Sequence, residues 1–190
     1  MSAALLTPDE LTLLVDVAER SVHLAVLEHV RWQPEPTAYP EALRRPAAVF
    51  VTLERQGRLM GCIGTLTPGE PMVVAVADRA RAAALADPRF RAIGPDDLPE
   101  LDVSVSVLSP PAPIAAESYD ELVAALRAGI DGVIIEAGRH RATFLPAVWD
   151  DLPEPEGFVA ALWRKAGLAP RSWPREAQAS RYTAQHAPRH

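Results

Sequence analysis

The chain has almost none of the residues on which several function classes depend. It holds one cysteine, Cys62, so no disulfide can form within it. Lys165 is the one lysine. No apolar run approaches the roughly 20 residues that a membrane-spanning helix requires. Acidic residues outnumber basic ones, 25 against 19, and the formal net charge of -6 argues against the basic stripe of a nucleic-acid-binding surface. Met1-Ser2-Ala3-Ala4-Leu5-Leu6 lacks the basic start and long apolar centre of a signal peptide. A cytoplasmic protein with neither a nucleic-acid nor a membrane partner is expected. No set of carboxylates and histidines has ligand spacing, His23, Glu28 and His29 included, so no metal is expected either, and no motif names a cofactor.

Apolar residues, in contrast, make up 48% of the 190, enough for a sizeable core in one domain or two small lobes. Thr7-Pro8-Asp9-Glu10 reads as a capping box with proline at the first helical position. Leu11, Leu14, Val15, Ala18, Val22 and Val26 follow at helical spacing. Prolines 34, 36, 40 and 46 predict an irregular surface segment, with Trp32 and Tyr39 pinning it to the body of the protein. Residues 47–54 and 58–66 read as a hairpin, and 71–86 as a helix. Val103, Val105 and Val107 mark a strand whose other face carries Ser104 and Ser106. With no histidine beside them in sequence, those serines are expected to be a polar strand face. Ser109-Pro110-Pro111-Ala112-Pro113 reads as a stiff linker. Beyond it come a capping box at Ser118-Tyr119-Asp120-Glu121, a helix closed by Gly129, a hairpin over 132–137 and 141–145, and a helix over 156–166 ended by Gly167. Arg181-Tyr182-Thr183 is expected as an edge strand, with a mobile tail carrying His186 to His190.

The fold class that follows is α+β: β-hairpins and mainly antiparallel sheet flanked by helices. One domain is expected over 1–175, in two lobes of about 1–110 and 111–175 whose element order hints at internal duplication, with residues 176–190 as edge strand and tail.

The chemistry centres on Gly61-Cys62-Ile63-Gly64-Thr65-Leu66. Glycines on both sides of Cys62 let the backbone bend, take positive φ, or admit close approach by a ligand or another chain. A helix starting a few residues later would present free amides, which favour anions and thiolates. Arg58 and Arg89 are the candidate anion-binding residues, and Thr65 and Thr143 candidate hydrogen-bonding residues. His140 invites pairing with Cys62, but it sits at a predicted hairpin tip, where a solvated turn is the better reading.

This run is similar to the AMMECR family, whose prokaryotic members are called protein A of the AmmeMemoRadiSam system. The resemblance also rests on Val49-Phe50-Val51-Thr52-Leu53, Asp87-Pro88-Arg89-Phe90, Val105-Ser106-Val107-Leu108-Ser109-Pro110, Ala142-Thr143-Phe144-Leu145-Pro146 and Val148-Trp149. It extends from the first helix to about Trp173. It implies an α+β fold and a cytosolic protein without an assigned reaction, often encoded beside a Memo-like protein and a radical-SAM protein. One departure stands out: the family usually carries arginine where this chain has Met60, and Arg58, two positions earlier, is expected on the same strand face, where it would compensate in part for that charge.

Two functions stay open. In one, Cys62 is a nucleophile or redox thiol acting on a small molecule or a modified protein. In the other, Cys62 is a small buried hydrophobe, and the chain is a binding module for Memo-like and radical-SAM proteins that uses exposed residues such as Arg89, Tyr39 and Trp149.

Overall fold

The computed structural model describes residues 5–187. The start at Met1 and the tail at His190 lie outside the described residues. At Thr7 the capping box is reciprocal. The threonine Oγ1 accepts the Glu10 N–H at 3.2 Å, and the Glu10 carboxylate accepts the Thr7 N–H at 2.8 Å. Both satisfy amides that a helix start leaves without partners, and α1 (Pro8–Leu27) follows. Trp32 and Tyr39 pack partly buried against the core, as the proline-rich segment predicts, and the Arg20 guanidinium lies 4.5 Å from the Trp32 ring centre. That segment is not wholly irregular, because it contains a 3-10 turn at Pro36–Ala38 and the short α2 (Glu41–Arg44).

β1 (Ala48–Arg55) and β2 (Arg58–Thr65) form the expected hairpin, closed by Gln56 and Gly57, both at positive φ. α3 (Met72–Leu85) leads through a second 3-10 turn to β3 (Leu101–Leu108), which pairs antiparallel with the other side of β1. Alternation sorts the two faces. Val49, Val51, Leu53, Val103, Val105 and Val107 turn inward against α1 and α3. Each fully buried side chain of this kind contributes roughly 1.5–3 kcal/mol. Phe50, Thr52, Ser104 and Ser106 occupy the opposite, half-buried face.

The second set of elements is β4 (Ala112–Ile114), α4 (Tyr119–Ala125), β5 (Gly132–Ala137), β6 (His140–Phe144), α5 (Pro155–Ala166) and β7 (Ala177–Tyr182). The strands form an antiparallel sheet in the order β4-β7-β5-β6. Phe158 and Trp163 of α5 are buried against it, and Trp149 stacks on Phe158 with ring centres 3.9 Å apart. Gly167 closes α5 in the left-handed conformation.

Four local expectations are corrected here. Ala112 and Pro113 are not linker but strand, tied to β7. α4 stops at Ala125, well before Gly129, which instead takes its positive φ in the turn before β5. Arg181 and Tyr182 are no edge: β7 is flanked by β4 and β5. Trp149 is buried, its indole N–H donating to the Asp131 carbonyl at 2.7 Å, so it presents no surface for a partner.

His186 does not belong to a loose tail. β8 (Ala184–His186) joins the first sheet beside β3, giving the order β2-β1-β3-β8, and the Ala187 N–H donates to the Val105 carbonyl at 3.0 Å. The chain thus forms two compact units, one from residues up to Leu108 together with those from Gln185, the other Ser109–Ala184. Two antiparallel sheets flanked by helices make this an α+β fold. Among the described residues no helix is long and apolar enough to cross a membrane.

Candidate functional site

β2 is an edge strand, so every second residue along it turns a backbone N–H and C=O away from β1. At Cys62 those two groups are capped by side chains. Asp87, which follows the end of α3, accepts the Cys62 N–H at 2.9 Å, and the Arg89 guanidinium donates to the Cys62 carbonyl at 2.9 Å. The two caps hold each other: Arg89 also donates to the Asp87 carboxylate through Nε at 3.0 Å and Nη2 at 2.7 Å, and through its backbone N–H at 3.1 Å. Asp87 is buried, with its side chain 2% exposed. Its carboxyl is nonetheless held well below the usual carboxylate range. The Arg89 hydrogen bonds do most of this, and the two backbone N–H groups add to it against the opposing effect of burial.

The Cys62 side chain lies on the half-buried face. It stands opposite Thr52, and the Thr52 hydroxyl donates to Sγ at 3.3 Å. Ser104 continues the same row on β3. Arg89 is raised above its ordinary range, chiefly by its hydrogen bond to Asp87, with Cys62 among the smaller contributors. Cys62 thus has a hydroxyl donor and a guanidinium beside it, and it is neither fully buried nor fully exposed.

The bracketing glycines serve packing. Neither takes positive φ. A Cβ on Gly61 would collide with the Ala83 carbonyl oxygen of α3, and one on Gly64 with the Phe50 ring and the Val49 carbonyl. They let a helix and an aromatic ring approach the strand. The neighbour at Gly61 is the last turn of α3, and Ala83 lies about 16 Å along the helix from its first residue, Met72. The helix start expected beside Cys62 is therefore absent, and the nearby positive charge is that of Arg89.

Arg58 does not lie on the strand face expected for it. The pairing steps from Leu53 opposite Gly61 to Glu54 opposite Leu59, leaving Met60 as the extra residue of a β-bulge. That shift breaks the period-2 alternation, so Leu59 shares the Cys62 face and Arg58, opposite Arg55, is turned off it. Met60 packs partly buried against the core. The Thr65 hydroxyl closes a local turn, accepting the Thr67 N–H at 3.1 Å and lying 3.0 Å from the Thr67 carbonyl to which it donates. Thr143 belongs to the second unit, where its hydroxyl bonds the Val133 carbonyl and the Tyr182 hydroxyl. His140 is also in that unit, its Nδ1 2.8 Å from the Ala166 carbonyl at the end of α5. Of the residues expected around Cys62, the structure gathers Gly61, Gly64 and Arg89, and adds Thr52 and Asp87. The cue to Asp87 was its place directly after a helix and two residues before an arginine; for Thr52 the cue was strand register, which only the bulge makes readable.

The family model for AMMECR1 matches residues 15–187. The chain belongs to the AMMECR1 family. A relative from Methanothermobacter thermautotrophicus is 39% identical over 178 residues, covering 90% of this chain and 88% of its own length. Another AMMECR1 relative, from Thermococcus gammatolerans, is 40% identical over 169 residues, covering 81% and 79% of the two chains. The crystal structure of the uncharacterized protein PH0010 from Pyrococcus horikoshii superposes on this AMMECR1 chain with a TM-score of 0.88 at 31% identity, covering 97% of each.

Proposed function

We propose that this AMMECR1 protein acts through Cys62 on a small molecule or a modified protein side chain that bears a carbonyl or similarly polarised carbon. The observation that carries the reading is the Thr52 hydroxyl donating to Sγ, on a residue whose carbonyl accepts from the Arg89 guanidinium. The hydroxyl gives the sulfur a hydrogen-bond donor, and the guanidinium is a cation that can meet an oxyanion formed next to it. In the step envisaged, the thiolate forms an S–C bond, the carbonyl π pair moves to oxygen where Arg89 offsets its charge, and the thiol proton passes to water.

One observation favours the alternative, a non-catalytic module working in the cytoplasm with the Memo-like and radical-SAM proteins of an AmmeMemoRadiSam system. Gly61 and Gly64 are explained by packing alone, so the motif would persist without a reactive thiol.

Alkylation of Cys62 by iodoacetamide separates the two. Faster labelling in the folded protein than in the denatured chain at the same pH supports the thiol reading. Labelling that waits for denaturation overturns it and leaves the module.

A further inference from the structure

The half-buried face of the first sheet carries a second polar group on which no reading above depends. Ser106 Oγ lies 3.0 Å from His186 Nδ1. One residue is on β3 and the other on β8, 80 positions apart in sequence, which is why no motif joins them. Whichever tautomer the imidazole holds, the pair keeps one donor for a ligand: the Nε2–H if Ser106 donates, the serine O–H if Nδ1 does.

Phe50 lies between this pair and Cys62. It stands directly opposite both Gly64 and Ser106, and its ring is laid across Gly64, at the spot where any Cβ would strike Cγ and Cδ1. The ring therefore reaches over β2 at Gly64, and the residue as a whole is half-buried. One row on are Cys62, Thr52 and Ser104. Cys62 and Ser106 are two strands and two residues apart, about 12 Å between Cα atoms, a span of the order of a small ring system with its substituents. Carboxylates on this face, Glu54 and Asp102, begin only in the next row, on the hairpin side of Thr52 and Ser104.

We propose that this face binds a planar, heteroaromatic small molecule with hydrogen-bond acceptors on its rim, stacked on Phe50, its rim met by Ser106 and His186 at one end and its electrophilic carbon presented to Cys62 at the other. This names the substrate class of the Cys62 site and rests on the thiol reading.

The probe is 4-chloro-7-nitrobenzofurazan, a planar ring with acceptors on its rim. The sulfur adds to the chlorine-bearing carbon, an S–C bond forms, chloride leaves with the C–Cl electron pair, and the thiol proton goes to water. Iodoacetamide, which has no ring, is the reference. The expected result is a saturable rate for the ring reagent and a linear one for iodoacetamide. In His186→Gln, Ser106→Ala and Phe50→Leu the ratio of the two rates falls about tenfold, the scale of ring stacking and one good hydrogen bond. A linear ring-reagent rate, or a ratio unchanged in His186→Gln, whose side chain is exposed and whose loss spares the core, overturns the proposal. Reaction with neither reagent in the folded protein overturns the thiol reading itself. The platform is then tested by the ring nitrogen signals of His186 on adding the unreactive 4-amino-7-nitrobenzofurazan: a saturable shift supports the stacking site, and no shift overturns it.

Discussion

The buried carboxylate of Asp87 accepts the backbone N–H of Cys62 at 2.9 Å, across 25 positions of sequence. The position of the sulfur is thereby tied to an ion pair at the free edge of the strand, because the same carboxylate is gripped by Arg89.

That tie gives stability a pH dependence of definite sign. Asp87 and Asp97 both have carboxyls held below the usual range, Asp97 chiefly by its hydrogen bonds with Arg91. A depressed carboxylate stabilises the fold above its unfolded value of about 3.9 and ceases to do so as pH falls toward its folded value. Through these two groups, denaturant unfolding should show no change in stability between about pH 5 and neutral pH and a decline below pH 4. Asp87→Asn should flatten part of that decline and cost roughly 1–3 kcal/mol at neutral pH, since it leaves donors of Arg89 and Cys62 poorly matched.

Replacing Thr52 with valine keeps the shape of the side chain and removes its hydrogen bond to the sulfur. On the proposed thiol function, the hydrogen bond would act on the reacting sulfur, and one worth about 1.5 kcal/mol corresponds to Cys62 alkylation slowing roughly tenfold. An unchanged rate, with the fold intact by circular dichroism, would detach the hydroxyl from the reactivity of the thiol.

The two glycines beside Cys62 make a prediction about packing. Gly61→Ala forces a methyl group against a backbone carbonyl of α3, and backbone cannot rotate aside. A loss of roughly 2–3 kcal/mol is expected in chemical unfolding. Gly64→Ala should lose a similar amount, and pairing it with Phe50→Leu should recover only part, because the Val49 carbonyl stays in the way. Gly69, with open space around it and no positive φ, is the control: Gly69→Ala should stay within about 0.5 kcal/mol.

Tyr182 is the reporter for the second unit. Burial pushes its phenol up to about 12, and the hydrogen bond with Thr143 opposes this only in part. Spectrophotometric titration should show one tyrosine ionising around 12 in the folded protein. An unfolded tyrosine ionises near 10, so above that pH the unfolded chain loses protons first, and stability should fall between about pH 10 and 12. Tyr182→Phe should remove that part of the alkaline decline.

Sequence legibility followed the range of the interactions. The capping box at Thr7, the hairpin around Gly57 and the close of α5 at Gly167 are set by neighbours in sequence, and the structure repeats them. The α+β class followed from the same periodicities. Long-range pairing was not legible in the same way. Ala112–Ile114 is a strand only because β7, some 65 residues later, supplies its partner, and prolines had suggested a linker. At the site, Arg89 and the glycines were legible as a cluster around Cys62, and their roles were not. Arg58 was misplaced because a bulge at Met60, invisible in composition, reverses the alternation. Ser106 looked like a polar strand face until β8 brought His186 beside it.

The placement of β8 bears on how the protein is made. Residues 185–187 complete the first unit, yet every residue of the second unit leaves the ribosome before them. During synthesis the hydrogen-bonding edge of β3 that will receive β8 stays unmatched until residues 184–186 have been translated, while the second unit, continuous in sequence, has all its strands to hand earlier. The platform that carries Cys62 is therefore the last part of the described fold to be finished, and its final strand is also the one that delivers His186.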